Sequence, residues 1–130
     1  AAARGDEPFG SVLVRDDAVV MRASNRINTA DAVRRHPELH LEHRACRDMA
    51  PTERAETVMY TSTEPCPMCA GGMRSAGFAR VVYSVNGDEI GEFTGEGAPV
   101  RAATILGDRT SVHGPVLNAE GRTIHEAFDW

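Results

Sequence analysis

The run T-S-T-E-P-C-P-M-C-A-G-G-M, Thr61 to Met73, leads from β-branched residues through two prolines and two cysteines into small, helix-compatible ones. Thr57 to Ser62 (T-V-M-Y-T-S) is dense in strand-favouring side chains and predicts a strand. Pro67 suits the first position of a helix, where the amide it lacks would have no partner anyway. A helix is therefore predicted from Pro67 to Gly77, despite Gly71-Gly72. Downstream, Arg80 to Val85 (R-V-V-Y-S-V) predicts another strand. Upstream the proline device recurs: Pro37 opens a helix with Leu39, Cys46 and Met49 set among polar residues, and Pro51 stops it.

Farther out, Phe9 to Arg15 and Ala18 to Ser24 are β-rich runs on either side of Asp16-Asp17, which predicts a hairpin. Asn25 to Arg35 reads as a loop. Residues Asn86 to Gly97 (N-G-D-E-I-G-E-F-T-G-E-G) carry four acids and four glycines and read as a mobile, negatively charged loop. Pro99 to Leu106 suits a short helix or a strand. Ser111 to Leu117 is a strand candidate broken by Gly114-Pro115, and Asn118 is placed to cap a last helix ending near Phe128. An antiparallel start followed by alternating helices and strands predicts one α/β domain over residues 1–130. Its expected form is three layers, a mixed central sheet with helices on both faces.

The charge balance narrows the partners. Fourteen cations against 19 acids give a net charge of −5, and every cation is an arginine. Coding bias accounts for that choice better than selection for phosphate binding. The arginines run from Arg4 to Arg122 with only Arg34-Arg35 adjacent, so no basic stripe is expected and nucleic acid is disfavoured as a partner. No apolar run approaches the ~20 residues of a membrane helix, and no basic-then-apolar leader opens the chain. These features predict no membrane contact and a cytoplasmic location. Three cysteines, an odd count, argue against a disulfide framework and for thiol or metal chemistry.

The spacing of those cysteines favours metal. Cys66-x-x-Cys69 at a helix start puts two thiolates on one ion, near backbone N–H groups that lower their pKa. His36, stiffened by Pro37, supplies a third ligand from the start of the other helix. One imidazole and two thiolates fit Zn2+, with the fourth position left to water, the arrangement of a catalytic site. Glu38, two residues from a ligand, can serve as the proton-transferring carboxylate for that water.

Together, H-P-E (His36 to Glu38) and P-C-P-M-C (Pro65 to Cys69) resemble the H-x-E…P-C-x-x-C signature of the zinc-dependent cytidine deaminase superfamily. P-F-G-S-V-L-V (Pro8 to Val14) is similar to that family's first strand, and A-S-N-R (Ala23 to Arg26) to its asparagine-bearing segment. Thr61 to Met73 resembles the nucleobase branch, guanine deaminases in particular, and tRNA adenosine deaminases. The likeness covers most of residues 8 to 85. It implies the cytidine deaminase-like fold and hydrolytic deamination: an activated water adds to the ring carbon bearing the amino group. Glu38 would protonate the neighbouring ring nitrogen and then the departing ammonia. It further implies Asn25 as a substrate contact, and a homodimer. Phe9 is taken as a substrate contact with it, and Asp129 and Trp130 stand where aromatic tails meet the base in some relatives. The family usually has a helix before the first strand, whereas only Ala1 to Asp6 precede Glu7-Pro8-Phe9 here, so one face of the sheet is expected to be less covered.

Other readings compete. His40 and His43 with Cys66 and Cys69 would make a closed Cys2His2 site and a structural zinc module, although their spacing is short for one metal. The pair His36 and His40 mimics a metalloprotease helix with its Glu one place late. Cys46 is expected to be a buried small hydrophobe, and His113 and His125 structural or solvated. For substrate, the acidic balance favours a free base or similar small heterocycle, guanine-type first, then cytosine-like pyrimidines and triazines. A tRNA adenosine deaminase is the alternative.

Overall fold

Asp16 and Asp17 both adopt left-handed backbone, φ 52° and 59°, and form a two-residue turn between β1 (Gly10–Arg15) and β2 (Ala18–Ser24). Positive φ at both central positions matches the right-handed twist of the flanking strands, and aspartate tolerates that region better than most residues. The computed structural model describes residues 1–130. After the hairpin come α1 (Ile27–Ala30), α2 (Pro37–Asp48), α3 (Pro51–Arg54), β3 (Val58–Thr63), α4 (Pro67–Ala76) and β4 (Arg80–Val85). The chain continues through α5 (Gly87–Thr94), α6 (Ala102–Leu106), β5 (Ser111–His113) and α7 (Asn118–Glu126).

The sheet order is β2-β1-β3-β4-β5, with β1 antiparallel to β2 and β3, and β3, β4 and β5 parallel. This is the mixed α/β sheet expected. Leu13, Met59 and Val81 point to one face and are fully buried, with Leu41 and Ala45 of α2, Met73 of α4 and Leu106 of α6 packed on them. The opposite face receives α7: a Cβ on Gly121 would run into the Ser84 side chain, so the absence of a side chain sets how closely that helix approaches β4. Helices thus flank both faces, but Tyr60 in β3 stays 45% exposed.

Several local expectations change. Residues 86–97 are not a mobile loop: Asn86 accepts from the Glu89 amide, and the Glu89 carboxylate accepts from the Asn86 amide, a capping box that starts α5. Its acids are also paired, Asp88 with Arg101 and Glu89 and Glu92 with Arg122. Pro99 to Leu106 resolves into the helix α6. Asn118 does not cap α7; Leu117 holds that position, and the Asn118 amide instead donates to Ser84 and Glu89. Cys46 is exposed, because α2 buries the positions of Glu38, Leu41, Glu42 and Ala45 and turns Cys46 outward.

Candidate active site

Each motif helix begins with proline. His36 immediately precedes Pro37 of α2, and Cys66 immediately precedes Pro67 of α4. Packing of α2 against α4 brings the two starts together. His36 Nδ1 lies 3.8 Å from Cys66 Sγ and 3.7 Å from Cys69 Sγ. Around a tetrahedral Zn2+, with Zn–N of 2.0–2.1 Å and Zn–S of about 2.3 Å, nitrogen and sulfur stand roughly 3.6 Å apart. The two nitrogen–sulfur spacings therefore suit the ion, and all donor atoms lie within 4.8 Å of one another.

The protons are arranged for it too. Cys66 is pulled down to about 4, first by its hydrogen bond with Cys69 and then by His36, despite burial. Cys69 is pushed up, first by its hydrogen bond with Cys66 and then by burial. The Cys66 hydrogen bond raises His36, against the opposing effect of burial. A dication held by His36, Cys66 and Cys69 would require them deprotonated.

Glu38 is buried on the first turn of α2. Thr61 Oγ1 donates to its Oε1 at 2.8 Å, and its Oε2 stands 3.8 Å from Cys69 Sγ. Burial pushes its carboxyl up, opposed by the Thr61 hydrogen bond. One turn on, Glu42 is also buried, with neither oxygen hydrogen-bonded, and burial followed by the charge of Glu38 pushes it up to about 9. It occupies the space that a side chain on Gly72 of α4 would fill.

A cavity of about 420 Å³ opens on this corner, lined by His36, Glu38 and Cys66 together with Phe9 and Trp130. Phe9 and Trp130 lie 5.8 Å apart between ring centroids, and His125 stacks on Trp130 behind them. Asn25 does not line the cavity: it is fully buried and turned toward Glu7, which does. Asp129 is exposed and likewise outside the lining. Glu7, Thr61 and Ser11, whose hydroxyl bonds Thr61, escaped the sequence reading. Thr61 and Ser11 meet the site through strand register, which no local motif encodes.

His40 and His43 do not join the cysteines. They line a separate groove of about 720 Å³ with Arg34, Arg35, Arg44 and Arg47. The closed Cys2His2 reading therefore fails, since α2 carries those histidines away from the corner that His36 occupies. That groove draws Arg34 and Arg35 from just before α2 and Arg44 and Arg47 from α2 itself, with Arg47 paired to Asp48.

Residues 1–85 match the family model for the cytidine and deoxycytidylate deaminase zinc-binding region. The chain belongs to this zinc-binding deaminase family. It is a hydrolytic deaminase by membership, and zinc is the metal its site is built for. A probable cytosine deaminase of Schizosaccharomyces pombe is 32% identical over 135 residues, spanning 95% of this chain and 80% of that protein. The guanine deaminase of Bacillus subtilis is 32% identical over 85 residues, 65% of this deaminase and 54% of the relative. The chain thus spans about half the length of that second relative. A solved structure from work on tRNA:A34 deaminases superposes with a TM-score of 0.69 at 25% identity, covering 94% of this chain and 88% of the other.

Proposed function

We propose that this deaminase removes an exocyclic amino group, as ammonia, from a free nucleobase or a similar small heterocycle, guanine-type bases first and cytosine-like pyrimidines or triazines next. One observation carries the reading: the cavity at the metal corner has the size of a small-ligand site and presents Phe9, Ile90 and Trp130 with carboxylates, but no arginine. A phosphate would find no fork there.

When bound by His36, Cys66 and Cys69, zinc supplies Lewis-acid activation of water. The chain's own residues do the rest. Phe9 and Trp130 hold the flat ring by stacking. Glu38, whose carboxyl burial pushes up, takes one proton from the water and delivers it to the ring nitrogen. It then takes the remaining proton from the new hydroxyl and delivers it to the amine, which leaves as ammonia. Thr61 fixes Oε1, so that Oε2 is the oxygen that moves the proton.

A second reading, deamination of a base in tRNA, is favoured by the arginine groove on α2, whose Arg34 and Arg35 adjoin His36. No helix is long and apolar enough to cross a membrane. We place the enzyme in a reducing compartment, the cytoplasm, because Cys66 and Cys69 must stay unbridged. A homodimer belongs to the same proposal, with Val19, Val20 and Tyr60 as exposed apolar side chains available to it.

Ammonia release by the zinc-loaded chain, screened over guanine, cytosine, adenine, their nucleosides, aminotriazines and folded tRNA, tests the reading. Free bases should lead. Glu38→Ala should retain zinc and release no ammonia. Activity on tRNA equal to or above that on free bases would overturn the small-heterocycle assignment.

A further inference from the structure

Glu7 stands on the turn before β1, its carbonyl accepting from the Phe9 amide at 2.8 Å, and its side chain forms part of the cavity wall. Behind it, Asn25 is locked on three sides. Asn25 Oδ1 accepts from the Ile27 amide at 3.0 Å, its backbone N–H donates to the Phe9 carbonyl at 2.9 Å, and its carbonyl accepts from Arg4 at 3.0 Å. With Oδ1 engaged, Nδ2 faces Glu7 Oε2 at 3.5 Å. Asn25 thereby orients the Glu7 carboxylate and leaves Oε1 without a partner on the chain. No arginine lines the cavity, and Glu7 forms no ion pair. Glu7 lines the same cavity as His36, Glu38 and Cys66, so it shares the reacting corner with them.

A carboxylate oxygen left unpartnered in a half-closed cavity calls for an N–H donor. A free base carries such a donor on the ring nitrogen to which a nucleoside attaches its sugar. We propose that Glu7 is a specificity-determining residue that accepts this ring N–H, with Asn25 as its positioning residue, so that the site takes unglycosylated heterocycles and rejects nucleosides. The inference rests on the deaminase reading and deepens it. Glycosylation removes the donor and sets a ribose against a charge that then has no partner, a double penalty of the kind that separates substrates differing by one hydrogen-bonding group.

The test compares kcat/KM for guanine and cytosine with that for their nucleosides, on the zinc-loaded chain and on Glu7→Gln and Glu7→Ala. Wild type should prefer the bases by about 100-fold or more. Glu7→Ala should lower kcat/KM for the bases about 10–100-fold, the loss expected for a charge-assisted hydrogen bond, and leave that for the nucleosides level or raised. Glu7→Gln, the same size without the charge, should shift the ratio in the same direction and covers the case of a poorly folding alanine variant. Quenching of Trp130, the one tryptophan, gives a binding readout without turnover: bases should quench wild type more strongly than nucleosides, and the difference should shrink in both variants. Equal losses on bases and nucleosides, or an unchanged ratio, overturn the role of Glu7 and leave the deaminase reading standing. No ammonia from any base or nucleoside overturns the small-heterocycle reading on which the inference rests.

Discussion

Thr61 Oγ1 donates to Glu38 Oε1 at 2.8 Å, and Ser11 Oγ donates to Thr61 Oγ1 at 2.8 Å. Two adjacent strands thus hold the carboxylate that α2 presents. Thr61 and Ser11 are direct partners across the β1–β3 ladder, so strand register sets the aim of a group on a helix. Thr61→Val keeps the shape and removes the donor. We expect zinc content to be unchanged and kcat to fall about 10–100-fold, the usual cost of losing such a supporting contact. Metal analysis beside steady-state kinetics checks this; full activity would mean that burial alone orients Glu38.

The metal corner was legible because its chemistry is local: His36-Pro37-Glu38 and Cys66-Pro67-x-Cys69 each occupy a single helix start. Thr61 was not, because its approach depends on the pairing of β1 with β3, which sets it opposite Ser11, 50 residues away. Glu7 was not, because its one side-chain partner is Asn25, 18 residues on. The helix α5 was misread for a different reason. Its glycines and acids argued for a loop, yet Asn86-x-x-Glu89 already spelled a capping box, and the capping signal outweighed composition. Cys46 shows the limit of residue-type averages, since helical phase, fixed by Leu41 and Ala45, decides which side chain is inside.

Glu42 should make stability fall as pH rises. Its carboxyl is pushed up to about 9 in the folded chain against an ordinary 4.5, so folding is favoured in full below 4.5 and progressively disfavoured up to about 9. At pH 7 the cost is about 3 kcal/mol. Glu42→Met keeps the length beside Gly72 and removes the buried acid. In the zinc-free protein, melting temperatures measured from pH 5 to 9 should decline for wild type and stay nearly level for the variant. Parallel profiles would show that the carboxylate finds a partner in solution.

His125 should act in the opposite direction. Fully enclosed by Phe9, Phe93 and Trp130, with Nδ1 unpartnered, it is held below its ordinary 6.5, chiefly by burial and then by Arg122. A depressed folded pKa means that the stabilisation is complete above 6.5 and is lost as pH falls below it. His125→Phe should abolish the acid-side drop while keeping the aromatic cluster. Trp130 fluorescence during thermal melts between pH 5 and 7.5 reads this directly, and a drop of equal size in the variant would assign it to other groups.

Zinc should clamp α2 to α4, since His36 comes from one helix start and the two cysteines from the other. A ligand bound only by the folded chain at about 100 times its Kd adds about 2.7 kcal/mol, which for a domain of this length raises Tm by roughly 10 °C. Chelation should remove that increment, and added zinc should restore it. The increment should shrink as pH falls, because Cys69 and His36, both raised, must surrender protons to bind the ion. His36→Ala should eliminate the zinc-dependent rise, whereas His40→Ala, altering a side chain in the arginine groove, should leave it intact. Scanning calorimetry with and without zinc separates the two: a rise that survives His36→Ala and vanishes with His40→Ala would return the ion to a closed site and take the catalytic corner away from Glu38.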